Sequence, residues 1–399
     1  MRIGLLNNMK KIFIIILCII PVMLSACWDK VEIDKRVFIS TIGIDAGEDI
    51  SKTNTLKKFE KGDPFQEVEF KKLKVTYAYP NISALTPQMG GTAETKYINV
   101  EAYSLQDAVS KATNKSSRSI SFGHLQLLAI NKNVLQQPDT VKEIVDYLQR
   151  QPAINRTMLV AVVEGDIEGF LKYKPEMEKN IESYLSGLME NNAKFGSIRK
   201  LTLDDLLKSL SANGNAIIPY ITYDRDKNEM NLQGVATIKD YALKGFLTAR
   251  EYSDIEFLRG GVSGGKKVVF VEGHPVDFSI SNIKRKIKTT RQGDKLIFNI
   301  YLTIEGEIKE YYAGKEVFNN SFIKDIEENF DESLSKEFQD IIKITQRENG
   351  IDVIGLRENV EKYHPFIWKE LGGKWDTVYK NSEVNVFVTT KIRRVGVVK

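Results

Sequence analysis

The stretch "KKIFIIILCIIPVMLSACWDK", Lys10 to Lys30, holds the one long apolar run of the chain and both of its cysteines, so it constrains everything downstream. Arg2, Lys10 and Lys11 form a positive flank, and Ile12 to Leu24 is an uncharged run of 13 residues. A membrane-crossing helix needs roughly 20 apolar residues. This run stops at Ser25-Ala26-Cys27, with Asp29, Lys30 and Glu32 directly behind it. A short apolar core between a basic flank and small residues has the form of a cleaved signal peptide.

The end of that run is more specific. Leu24-Ser25-Ala26-Cys27 resembles the bacterial lipobox, which implies that Cys27 receives a diacylglyceryl group and becomes the first residue of the mature chain. Residues 1–26 are then the signal peptide, Cys27 is the lipid-attachment site, and Cys18 is discarded. No thiol is left for a disulfide, a zinc site or a nucleophile. Two acyl chains, at about 0.8 kcal/mol per buried methylene, hold a protein on a bilayer far more firmly than one.

The net charge of +4 shrinks once the three basic residues of the signal leave, to 54 basic against 53 acidic. Charges of both signs are interspersed, so the chain lacks the clustered basic footprint that nucleic acid demands. The densest basic run, "NIKRKIKTTR" (Asn282 to Arg291), alternates like a strand with a solvated face. With 42% hydrophobic residues the chain can bury sizeable cores, and its length suits two or three domains.

The residue pattern predicts an α+β fold: three mixed α/β domains over residues 27–200, 201–260 and 261–399. "RVFISTIGID" and "KKLKVTYAYP" read as strands around a charged loop over residues 46–69. Ser104 with Asp107 resembles a capping box ahead of a helix, and Asp139 or Thr140 is the expected cap of "VKEIVDYLQRQ". "GHLQLLAI" reads as a buried strand and "TMLVAVVEG" as a strand, and their alternation with helices implies at least one parallel pairing. Thr202 caps a helix that is followed by three short strands, "AIIPYITYD", "LQGVATIKD" and "ALKGFLT". The last domain reads as a largely antiparallel sheet covered by long helices, because Ile323, Ile326, Phe330, Leu334, Phe338, Ile341 and Ile342 recur at three- and four-residue spacing.

Several motifs suggest chemistry, and each lacks its context. "GGVSGGKK" holds Gly260, Gly265 and Lys266 at nearly phosphate-loop spacing, and Gly261 to Gly265 spells a nucleophile elbow around Ser263. Both require a strand before and a helix after. Here the helix-like "SDIEFLR" precedes and "KVVFVEG" follows, and Lys267 stands where a magnesium-binding hydroxyl belongs, so the stretch reads as a flexible linker. Ser333 and Lys336 form a Ser-x-x-Lys pattern without its companion motifs. His124, His274 and His364 have no second ligand at metal spacing. Trp28, Trp368 and Trp375 read as core or interface aromatics. No catalytic residue, metal or cofactor is expected.

Whole strings carry a family resemblance. "CWDKVEIDKRVFISTIGID", "SRSISFGHLQLLAINKNV", "VDYLQRQPAINRTMLVAVVEG", "AIIPYITYD", "LQGVATIKDYALKGFLT", "GIDVIGLRENVEKYHPFIWKE", Trp375 and "EVNVFVTTKIRRVG" resemble, in order, the blocks of the Ger(x)C family. These are the lipoprotein C subunits of nutrient germinant receptors in endospore-forming bacteria. The long charged segment over residues 46–69 departs from the family pattern. The resemblance implies three mixed α/β domains and a lipid-anchored subunit on the outer face of the spore inner membrane. It also implies contact with two polytopic membrane partners, the A and B subunits, and a role in assembly or signal coupling. No site residue other than Cys27 carries over. The alternative is a lipid-anchored solute-binding protein of a transport system, which needs two similar doubly wound lobes and a hinge.

Overall fold

The computed structural model describes residues 35–52, 62, 70–81, 93–261, 264–271, 273–311 and 320–395. Trp28, Ser263, most of the 46–69 loop and the lipobox, with its Cys27, lie outside them.

Two sheets dominate. The first has eight strands in the order β10-β9-β8-β7-β6-β2-β3-β4. Its centre is parallel: β2 (Thr41–Ala46), β6 (Leu127–Asn131), β7 (Leu159–Glu164) and β8 (Ala216–Asp224) run side by side in one direction. Strands covered on both faces read as continuous apolar runs, and "LLAIN" and "LVAVVE" do so. On one face lie α1 (Leu105–Asn114), α2 (Pro138–Arg150) and α5 (Leu203–Asn213), whose Leu206 and Leu210 share a core with Leu128 and Val160. On the other lie α3 (Ile167–Lys172) and α4 (Ile181–Lys194), packed through Phe170 and Leu185 on Ala129 and Val163. Antiparallel strands finish both ends: β3 (Leu73–Pro80) and β4 (Thr95–Ala102) at one, β9 (Glu229–Lys239) and β10 (Ala242–Thr248) at the other. A short parallel pair, β1 (Arg36–Phe38) with β5 (Ser119–Ser121), lies apart from both sheets.

The second sheet runs β11 (Lys266–Val271), β12 (His274–Gln292), β13 (Lys295–Tyr311), β14 (Glu383–Val395). It is antiparallel except for the β13–β14 pair. One long helix, α7 (Asn320–Lys343), covers one face and buries the expected stripe from Ile326 to Ile342, with Ile323 half-buried at its first turn. Shorter helices complete the cover: α8 (Leu356–Tyr363), α9 (Pro365–Leu371) and α10 (Trp375–Asn381). The fold is thus mixed α and β with a largely antiparallel last sheet.

Three local readings change. Residues 201–260 form no sheet of their own, because β8 hydrogen-bonds to β7 and carries β9 and β10 onto the first sheet. Their last helix, α6 (Ala249–Arg259), turns the other way and buries Ile255, Phe257 and Leu258 in the core of the second sheet. Edge strands that share backbone hydrogen bonds cannot be told from a separate sheet by side-chain alternation alone. The second change concerns α2, which starts at Pro138 with Gln137 as cap, rather than at Asp139 or Thr140. Proline's fixed φ suits the first helical position, and Thr140 is buried in the core. The third is at α1, where Ser104 accepts from the Asp107 amide but Asp107 reaches back to the Tyr103 amide, so the box is not reciprocal; at Thr202 it is.

Candidate functional site

The strongest concentration of charge in the described core lies where the two sheets join, at the glycine-rich stretch and the helix before it. In β11 the inward phase is Lys267, Val269 and Val271. That places a lysine, 9% exposed, inside an apolar core. Its Nζ donates to Asp254 Oδ1 on α6 at 2.5 Å and to Glu337 Oε1 on α7 at 3.1 Å. It sits 5.1 Å from the Phe257 ring centre and 5.7 Å from that of Phe338. Arg250 adds a bond from Nε to the same Glu337 oxygen at 3.0 Å.

Burial pushes the Asp254 carboxyl up to about 7, with Lys267 opposing and Glu337 adding to the rise. Glu337 is also pushed up by burial, but Lys267 and Arg250 outweigh this and hold it low. One ammonium therefore serves two carboxylates that differ in proton affinity. A buried charge is tolerable when its partners are close and hydrogen-bonded, and removing one partner strands the others.

A second charge set continues the joint. Glu256, buried on α6, accepts from Arg259 Nη1 at 2.8 Å and pairs with Arg199 at 3.2 Å. Arg199 also donates to the Gly261 carbonyl, Arg259 Nε to Val353 O at 2.6 Å, and Arg285 Nη2 to Ile354 O at 2.9 Å. Arginine forks thus tie the segment before α5, the end of α6, strand β12 and the turn before α8. Gly260 ends α6 in the left-handed region (φ 68°), and a Cβ there would meet Arg285 Cβ at 2.9 Å. The helix does precede and the strand does follow, so neither a phosphate loop nor a nucleophile elbow is framed here. Lys266 points outward and pairs with Asp277 at 2.5 Å.

The other candidates do not converge. Ser333 and Lys336 lie on the solvent side of α7. His124 packs edge-on against Phe38, its ring centre 4.9 Å away, while His274 begins β12 and His364 separates α8 from α9. Among the described residues no three His, Cys, Asp or Glu side chains are grouped to hold a metal, and no helix is long and apolar enough to cross a membrane. Trp375 is buried in the second core, and half-buried Trp368 packs against it at a tilt of 55° with ring centres 5.8 Å apart. The two sheets differ in size and pairing, unlike the matched lobes of a solute-binding protein.

Lys267, Asp254 and Glu337 match no motif in the sequence that marks them as a cluster. The alternation in "KKVVFV" puts Lys267 in phase with Val269 and Val271, so its burial was signalled. Its two partners, 13 and 70 residues away, were not.

Two family models match the chain in succession: "Spore germination protein N-terminal domain" over residues 29–223 and "Spore germination B3/GerAC like, C-terminal" over residues 233–396. The first sheet lies in the former but for its last two strands, and the second sheet in the latter. Among curated proteins, the chain is 25% identical over 402 residues to spore germination protein YndF of Bacillus subtilis (strain 168), covering 96% of each. It is 26% identical over 330 residues to spore germination protein GerQC of Bacillus cereus, covering 82% of this chain and 88% of that one. The crystal structure of the GerBC protein shares the fold with a TM-score of 0.57 at 20% identity, over 84% of this chain and 98% of that chain.

Proposed function

The chain belongs to the spore germination GerAC-like family, called Ger(x)C above, and so has a role in spore germination; from that premise we propose that it is the lipid-anchored C subunit of a nutrient germinant receptor. In this reading Cys27 carries the lipid, and the protein sits on the outer face of the spore inner membrane. It works through contacts with the A and B membrane subunits and catalyses no reaction.

The observation that carries this reading is the match of both family models in succession, over residues 29–223 and 233–396. A two-sheet body whose buried charges pair with one another suits a subunit that transmits or positions through its surfaces. Enzymatic work would ask for a convergent nucleophile, base or metal set, and the polar groups of the joint are instead consumed by one another. A tether adds effective concentration, towards millimolar for a short linker, for partners confined to the same bilayer.

The test is co-purification from detergent-solubilised spore membranes with a tagged copy of this protein. Two polytopic membrane proteins encoded beside it should be recovered in stoichiometric amount. Recovery of a permease and an ATPase instead, or of neither, would sink the receptor reading.

A further inference from the structure

The second sheet has one face under α7 and one face under nothing described. On β12 the outward phase places Lys284, Lys286 and Lys288 in a column, all exposed. The register runs Lys284–Thr303–Thr389, Lys286–Tyr301–Phe387 and Lys288–Asn299–Asn385 across β12, β13 and β14. Those three rows hold three cations and no acid. The acids in the flanking rows, Glu305 and Glu383, are each neutralised, by Arg393 at 2.7 Å and Lys295 at 2.8 Å. In the middle row Tyr301 and Phe387 are 42% and 48% exposed and stack on each other, with centroids 5.1 Å apart and planes 17° apart.

We propose that this open face of the β12–β14 sheet is a docking surface for an anionic lipid bilayer, with the three lysines on headgroup phosphates and the Tyr301–Phe387 pair entering the interface. Lysines near an anionic leaflet each gain about a fivefold preference, and the gain falls off within a Debye length. Aromatic side chains with a polar tip suit the headgroup layer. Stacking occupies the facing surfaces of the two rings and leaves them packed as one wedge. Single-stranded nucleic acid needs ring faces free to receive bases, so a bilayer is the better match to this charge and shape. The face would lay the long axis of β12 along the membrane. That orientation is set by the sheet itself and does not depend on lipid at Cys27.

The test uses the full chain reconstituted into vesicles of pure phosphatidylcholine or of phosphatidylcholine with phosphatidylglycerol, and follows amine acetylation residue by residue by mass spectrometry. Lys284, Lys286 and Lys288 should react about fivefold more slowly on the anionic vesicles, while Lys208 on α5 reacts equally on both. Raising the salt to about 1 M should remove the difference. Tyr301→Ser with Phe387→Ser, which leaves the buried face of the sheet intact, should weaken the protection. Equal reactivity on both vesicles, protection insensitive to salt, or protection seen only when a single-stranded oligonucleotide is added would overturn the proposal.

Discussion

Lys267 shows how one side chain can set the terms of a joint. Its ammonium is shared by Asp254 and Glu337 from two different helices, so Lys267→Ala leaves buried Asp254 without its cation, while Glu337 keeps Arg250. The expected loss is about 3–5 kcal/mol in urea unfolding. Lys266→Ala, one residue away on the solvent side, should cost little, and nutrient-triggered germination of those spores should stay near normal. The same site predicts a pH dependence. Because the folded-state pKa of Asp254 lies at about 7, above the ordinary 3.8, the folded protein binds more protons than the unfolded chain between those values. The stability this group contributes is therefore complete below about pH 4 and is lost as pH rises through 7. Thermal midpoints should rise on acidification from pH 7.5 to 5.5, and the rise should be smaller in Asp254→Asn. An unchanged slope in that variant would show that other groups set the response; Asp352, pushed up by burial to about 6, is the first to examine.

At the scale of elements, α7 and the β12–β13 hairpin depend on each other. The helix has a six-residue buried stripe, and the strands bury Phe278, Phe298, Ile300 and Leu302 in the same core. Phe330, whose ring centre is 5.0 Å from that of Phe278, is fully buried. Phe330→Ala should cost about 3–5 kcal/mol, measured by denaturant midpoint, without moving the far-UV signal of the native state. Gly306 marks a bulge in β13, and a Cβ there would fall 2.2 Å from the Ser279 carbonyl. Gly306→Ala should therefore shift the strand pairing and lower the same midpoint. The helix stripe and the strand alternation were both legible in sequence, because periods of 3.6 and 2 survive in the residue order. The union of β8–β10 with the first sheet was not, since pairing between strands is decided by backbone hydrogen bonds that carry no residue signature.

For the whole molecule, the proposed tether and the two-sheet body make separable predictions. Cys27→Ala should abolish incorporation of labelled palmitate, reduce membrane retention and impair nutrient-triggered germination. It should leave the unfolding midpoint unchanged, because on the lipobox reading Cys27 is the first residue of the mature chain, and terminal residues contribute little to folding stability. Label retained in that variant would refute the lipobox. A normal nutrient response from unlabelled protein would show that contacts with the membrane partners suffice. Cys18→Ala should change none of these readouts.

The sequence by itself determined most of the elements: the helix caps, the parallel core strands and the stripe of α7 at three- and four-residue spacing all rest on local patterns, and the proposed address rests on the apolar run alone. It also carried the family, because long ordered blocks outlast divergence to about a quarter identity. Only the tertiary structure decided that residues 201–260 are a bridge, with strands on one sheet and α6 in the core of the other. It alone brought Asp254, Lys267 and Glu337 to one point, and left Lys286, Tyr301 and Phe387 in one open row. Those groupings join residues up to 101 positions apart, and chain order holds no record of which distant strand will lie alongside.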